Sequence, residues 1–339
     1  MKKINVLAAM VAFACSGSAL ATQQGTGVDW QNGFSDMVNP TQCSGILIGG
    51  KYVISAAHCE PINTGVKFAD GSNETFTKIT LNPEWAGTGG KDVVIWELPN
   101  VHETKDIHYF ADLNTDTVNV DDVVNLYGFG KHSSNPADLN TVSLKIINDD
   151  ADDPENDFYT AVATGAGKSI NGDSGGAWVN AAGEIVGVHK SSADDVGLDG
   201  SITTTIYSTN LTKSKDFILE AVNGWHYPTY AEGKNITVTV QSLHMNITSD
   251  QAYTDSNVTI TGGSCVGKST INAFEKCTYE LEADGAGKLY LSPDEYVEIN
   301  KPEPETETEP STGGGSGGGG SFGFLSLFGL AILGWKRRK

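Results

Sequence analysis

The chain has 339 residues, of which 39% are hydrophobic and 40 are glycine, and its formal charge is −20. That length admits two domains and a sizeable core, and the composition suits globular β structure rather than disorder or a helical bundle. A surface so acidic repels nucleic acid, which removes nucleic-acid binding from the functions to consider.

The first 21 residues read as a secretory signal peptide. Lys2 and Lys3 precede an apolar run from Val6 to Ala14, and Ala19-Leu20-Ala21 stands before the polar Thr22, the expected mature N-terminus. Of the five cysteines, Cys15 leaves with that segment, so Cys43, Cys59, Cys265 and Cys277 remain. An even count in an exported chain argues for disulfides. Proximity favours Cys43 with Cys59 and Cys265 with Cys277 among the three connectivities that four cysteines allow. No metal-ligand spacing and no cofactor motif stands out.

Through residue 226, short β-rich runs alternate with Gly, Asn, Asp and Ser turns: SGILIGG, KYVISAA, VVIWEL, VVNLYGFG, TVSLKII and EIVGVHK. Strands at this spacing with little helical period predict an all-β barrel or sandwich. A helix is predicted near the end of this region, because Phe217, Ile218, Ala221 and Val222 fall on one face and Gly224 can stop it. The acidic run NDDADDPEND at 148–157 lacks the spacing of a calcium loop and reads as a solvated one.

Residues 227–299 hold further Thr- and Val-rich runs, NITVTV, NVTITGG, CTYELEA and GKLYLS, which predict a small β-sandwich stapled by Cys265 and Cys277. It shows no catalytic constellation and reads as a spacer or binding module. Residues 300–321 are a Pro/Glu and then Gly/Ser linker. From 322 onward an apolar stretch falls short of the roughly 20 residues of a spanning helix. With its basic end Lys336-Arg337-Arg338-Lys339 it reads as a marginal membrane anchor or a sorting signal that leaves the body outside.

The chemistry concentrates in two stretches. In INGDSGGAW, residues 170–178, Gly172 and Gly175 permit a tight turn that presents successive N–H groups beside the Ser174 hydroxyl, the layout of an oxyanion hole. The same residue types also make an ordinary turn, so a base is needed to decide. In CSGILIGGKYVISAAHC, residues 43–59, His58 sits beside a cysteine that can pin it to the strand where the segment begins.

These stretches, Ser55-Ala56-Ala57-His58-Cys59 and Gly172-Asp173-Ser174-Gly175-Gly176, resemble the chymotrypsin/trypsin family of serine proteases. ITLNPEWAGTGGKDVVIWEL is similar to that family's approach to its triad aspartate, and YGFG at 127–130 to its Gly-aromatic-Gly strand end. The resemblance covers residues 40 to 222 and implies a double β-barrel followed here by a small immunoglobulin-like β-sandwich. It implies a His58-Asp92-Ser174 triad acting through an acyl-enzyme, with the N–H groups of Gly172 and Ser174 as oxyanion hole. Asp92 competes for its role with Asp106, Asp112, Asp116, Asp121 and Asp122, and its alternative is a turn aspartate.

Two departures bear on activation and specificity. Family zymogens are cut after a basic residue to free an amine that pairs with the aspartate before the nucleophile, here Asp173, yet 22–50 contains no Lys or Arg. Thr22 freed by signal cleavage, Val28 freed by another cut, or a different restraint on Asp173 must take that part. Lys168 stands where trypsin carries its pocket carboxylate. Ser169 and the Gly-aliphatic-His pattern ending at His189 are similar to bacterial glutamyl endopeptidases, so Lys168, Ser169 and His189 form the expected pocket for an acidic P1 side chain. The alternative is that His189 and Lys190 merely alternate around an edge strand.

The tail resembles the Gly-rich, apolar and basic sorting signals of type II-secreted proteases from Gram-negative marine bacteria, which an intramembrane sorting protease removes. The expected protein is a secreted or surface-tethered serine endopeptidase acting on proteins or peptides. Its rival is a latent, protease-like adhesion protein that binds through the second module.

Overall fold

Branched apolar runs flanked by turn residues become two groups of antiparallel strands. The computed structural model describes residues 25–62, 65–87, 89–116, 118–130, 139–148, 157–255 and 257–302. The signal segment with Thr22, nearly all of the acidic run, the linker from 303 and the C-terminal tail lie outside them.

The first group is a five-stranded sheet in the order Met37–Val38, Gly45–Ile48, Tyr52–Ser55, Val94–Glu97, Lys78–Leu81. Ile46, Leu47, Ile48, Val53, Ile54 and Val94 to Trp96 are all buried, which explains why these strands read as continuous apolar runs rather than as alternation. The second group closes on itself. Asn140–Asn148, Val123–Gly128, Ala177–Val179, Ile185–Val196, Ile202–Asn210 and Phe158–Ala163 pair in that order, and the last returns to the first at Leu144↔Ala163. Closure into a six-stranded barrel removes the sheet's free edges over most of its height. Asn140–Asn148 alternates buried and exposed residues, as a strand with one face in the core must.

The helix Lys215–Val222 buries Phe217, Ile218, Leu219 and Val222. Its stop comes one residue earlier than expected: Asn223 takes the left-handed conformation, φ 43°, and its N–H bonds the Leu219 carbonyl.

Trp225–His226 already belongs to a four-stranded sheet with Asn235–Ser242, Lys276–Ala283 and Val258–Gly262. A second four-stranded sheet contains Tyr230–Ala231, Tyr296–Ile299, Gly287–Tyr290 and Tyr253–Thr254. Both contribute to one apolar core that includes Trp225, Val238, Val240, Leu281, Leu289 and Val297. The barrels and these sheets form one compact unit ending at Lys301.

The joint between them combines apolar packing, with Leu243 and Phe274 in the core of the first part, and buried polar groups. Gln241 accepts the Phe110 N–H at 2.9 Å and donates to the carbonyls of Phe110 and Phe274 at 2.8 and 2.9 Å. His226 accepts the Gly49 N–H at Nδ1, 3.1 Å, and donates from Nε2 to the His108 carbonyl, 2.9 Å. Both ring nitrogens are thereby committed and the tautomer is set. Two disulfides, Cys43–Cys59 and Cys265–Cys277, staple the first barrel and the C-terminal sheets.

Candidate active site

The 3-10 turn Ala57–Ile62 follows directly on the strand Tyr52–Ser55 and carries His58 out of the first barrel. Asp92 sits at the start of the neighbouring run into Val94–Glu97, and those two strands pair through Val94↔Ser55. Adjacent strand ends therefore bring the two residues together. Asp92 is 2% exposed, and its two oxygens both serve His58: Oδ1 accepts the backbone N–H at 2.9 Å and Oδ2 lies 2.7 Å from ring Nδ1. A carboxylate accepts only, so Nδ1 carries the proton and Nε2 presents a lone pair. Four of the other aspartates hold structure elsewhere. Asp106 accepts the Gly33 N–H, Asp112 and Asp122 accept from Asn114 and Asn119 in their own turns, and Asp121 pairs with Lys145.

Ser174 lies on the second barrel, three residues before Ala177–Val179. The loop carrying it is held against the first barrel by residues of the stretch 43–59 that also bears His58. Ser44 donates its N–H to the Ser174 carbonyl at 2.7 Å and its hydroxyl to the Gly172 carbonyl at 2.9 Å. Its own carbonyl accepts the Ser55 hydroxyl at 2.7 Å, and the Cys59 sulfur stands 3.9 Å from the Ser174 carbonyl. Nothing larger than glycine fits at 175: φ is +85°, and a Cβ would collide with the Ser44 carbonyl and the Ser55 hydroxyl. Gly172 has φ +100°. Among the described residues the N–H groups of Gly172 and Ser174 donate to no protein group, so both are available to an anion.

Asp173 is fully buried. Its Oδ1 accepts the Gly130 N–H at 3.0 Å and its Oδ2 the Ile170 N–H at 2.8 Å. Burial pushes its pKa up to about 7 against the opposing pull of those two bonds. Val28, one candidate for the pairing amine, is engaged elsewhere, since its N–H donates to the Leu139 carbonyl at 3.0 Å. Thr22, the other, lies outside the described residues.

The expected pocket residues separate. Lys168 and Ser169 line a surface cavity of about 460 Å³ with Ile170, Asn171, Ser192, Asp194 and Thr204. Lys168 makes no ion pair among the described residues. His189 is not in that lining. It is 2% exposed beneath the nucleophile loop, where its carbonyl accepts the Gly175 N–H and its N–H bonds the Gly176 carbonyl, both at 2.8 Å. Its Nδ1 is buried with no hydrogen-bond partner among the described residues. Burial first, and the nearby His58 second, push its pKa down to about 3, so the ring is neutral at physiological pH.

Ser44 and Ser55 both lie in the stretch 43–59, but their part in holding the nucleophile loop escapes sequence reasoning because it depends on contacts with residues 172–175, far along the chain. Asp194 and Thr204 escape it because the hairpin carrying them is written in Ser, Thr and Asp.

A chain from the Vibrio cholerae VesB protease structure is 17% identical over 82% of this chain and 99% of its own length, with a TM-score of 0.47. The secreted serine protease VesC from Vibrio cholerae is 15% identical over 78% and 69%, TM-score 0.44, and mouse neuropsin 18% identical over 58% and 98%, TM-score 0.48. No curated protein sequence matches significantly. The family model described as Trypsin matches residues 19–218, more than half of the chain and the whole span from His58 to Ser174. The chain therefore belongs to the trypsin family and is a serine endopeptidase.

Proposed function

We propose that this protein is an exported endopeptidase that cleaves polypeptides after acidic residues through an acyl-enzyme on Ser174. His58 takes the hydroxyl proton at Nε2 as Ser174 attacks the scissile carbonyl and returns it to the leaving amine. Asp92 holds the tautomer and stabilises the imidazolium. The Gly172 and Ser174 N–H groups receive the oxyanion. The observation that carries this reading is the double clasp of His58 by Asp92, 2.9 Å to the backbone and 2.7 Å to the ring, since it presents a basic nitrogen without a conformational step.

The acidic preference rests on the buried Nδ1 of His189 and on Lys168, neither of which has a partner among the described residues, and on the buried Ser169. A P1 carboxylate would give that ring nitrogen the partner it lacks and raise its pKa. Two disulfides fit an oxidising compartment. On this reading the signal segment exports the chain, the tail is removed or tethers it, and the C-terminal sheets are an immunoglobulin-like binding module.

Intact-mass analysis with a fluorophosphonate probe tests the first part. One adduct on the wild type and none on Ser174→Ala is the expected result, with hydrolysis in the variant lower by about a millionfold. No adduct on processed protein would favour the latent adhesion protein instead. A P1 series on the labelling-competent enzyme should rank Glu and Asp first, and His189→Ala should erase that ranking. Apolar P1 residues ranked first would end the acidic-pocket idea.

A further inference from the structure

The two donors assigned to the oxyanion are held unequally. The Ser174 N–H shares a peptide group with the Asp173 carbonyl, which accepts the Gly176 N–H at 2.8 Å. A peptide group is planar, so a bond that fixes its oxygen also fixes the direction of its N–H. The Gly172 N–H has no such hold. It shares a peptide group with the Asn171 carbonyl, and neither end of that group makes a hydrogen bond among the described residues. Gly172 also stands at φ +100°, and a glycine backbone is the freest to swing.

What restrains Gly172 acts on its other side, at its carbonyl. The Ser44 hydroxyl donates to that carbonyl at 2.9 Å and accepts the Phe129 N–H at 3.0 Å. A hydroxyl has one proton, and because Phe129 is itself a donor, that proton goes to Gly172. The same peptide group gives the Asp173 N–H to the Ile170 carbonyl at 3.1 Å, but that bond lies within the loop and moves with it. Ser44 alone therefore ties this peptide to the first barrel and to the chain just past the strand Val123–Gly128. It is 1% exposed, so solvent does not compete for either of its bonds.

We propose that Ser44 is a positioning residue for the oxyanion hole. Its hydroxyl, by holding the Gly172 carbonyl, keeps the Gly172 N–H aimed at the place where negative oxygen develops. Buried as it is, it meets no substrate. Its effect is felt when charge forms on the reacting carbonyl, so it appears in kcat rather than in KM. The inference rests on the endopeptidase reading of Ser174.

The test compares Ser44→Ala and Ser44→Gly, which delete the hydroxyl and keep the backbone bond to the Ser174 carbonyl, with Thr229→Val. The Thr229 hydroxyl accepts the Thr104 N–H at 2.7 Å and donates to the His102 carbonyl at 2.9 Å, so its loss lowers stability without touching the nucleophile loop. Rates are taken per folded molecule, with the folded fraction measured by calorimetry, on a peptide ester and on its thionoester, whose sulfur accepts hydrogen bonds weakly. In the Ser44 variants, ester kcat should fall about 100-fold with KM within about threefold of wild type. The ester-to-thionoester ratio should fall by about tenfold, because only the oxygen form uses the lost donor. Thr229→Val should keep the wild-type kcat and ratio while its Tm drops. A folded Ser44 variant with wild-type kcat and ratio, or equal losses in Thr229→Val, overturns the positioning role and leaves the endopeptidase standing. Failure of both Ser44 variants to fold overturns it too, since the hydroxyl then serves folding. Wild type that neither labels at Ser174 nor cleaves the ester removes both.

Discussion

Asp173, just before the nucleophile, is a residue whose ionisation the fold resists. Its pKa rises from 3.8 to about 7 because burial outweighs the Ile170 and Gly130 N–H bonds. A carboxylate raised in this way favours the fold below its unfolded pKa, and the contribution is lost as pH climbs through about 7. The stability of Asp173→Asn relative to wild type should therefore rise between pH 5 and pH 8, by about 3 kcal/mol over that window. Differential scanning calorimetry across that range reads it directly. A difference that stays flat would mean that a cation, such as a free mature amine, has reached the carboxylate. His58 and Ser174 were legible from sequence because short spacing and a neighbouring cysteine mark them. Ser44 was not, because its hydroxyl matters only through the Gly172 carbonyl and the Phe129 N–H, both more than 80 positions away.

Among the elements, the loop closed by Cys43–Cys59 runs from one strand of the first barrel, across a second, to the turn bearing His58. Cross-linking residues 16 apart is worth about 3 kcal/mol in the chain-entropy account. Replacing both cysteines by serine should lower stability by about that much in urea titration. It should lower kcat at temperatures well below the transition too, because the Cys59 sulfur packs against the Ser174 carbonyl. Unchanged kcat would show that the staple stabilises without positioning. The apolar strands were readable as runs of Val, Ile and Leu. The outer half of the long hairpin was not, because SSADDV and ITTT carry no alternation of apolar and polar residues, and its strands are held by backbone pairing and the Thr204–Asp194 side-chain bond. Phe158–Ala163, which completes the barrel, went unnoticed beside the acidic run that precedes it.

For the molecule as a whole, the two halves meet through Leu243 and Phe274 and through buried polar groups, and one side chain carries much of the polar part. Gln241→Leu would strand the Phe110 N–H and the Phe110 and Phe274 carbonyls without partners, at a cost of about 3 kcal/mol. Calorimetry of that variant should show the single transition splitting into two as barrels and sheets uncouple. One unchanged transition would mean that apolar contacts suffice. The sequence reading sets a boundary after residue 226, whereas the C-terminal sheet already takes in Trp225–His226, and the joint could not be read at all. Gln241 sits within a Thr- and Val-rich strand, and nothing local distinguishes it from a solvent-facing residue.

The His226 ring has a consequence for how such a chain is inherited. It is specified by the second half of the sequence, yet it satisfies Gly49 and the His108 carbonyl, which are specified by the first. A recombination event that exchanged the C-terminal half for an unrelated one would leave the catalytic half with an orphaned amide at residue 49 and another at Phe110. The two halves are therefore expected to be transmitted together rather than shuffled as cassettes.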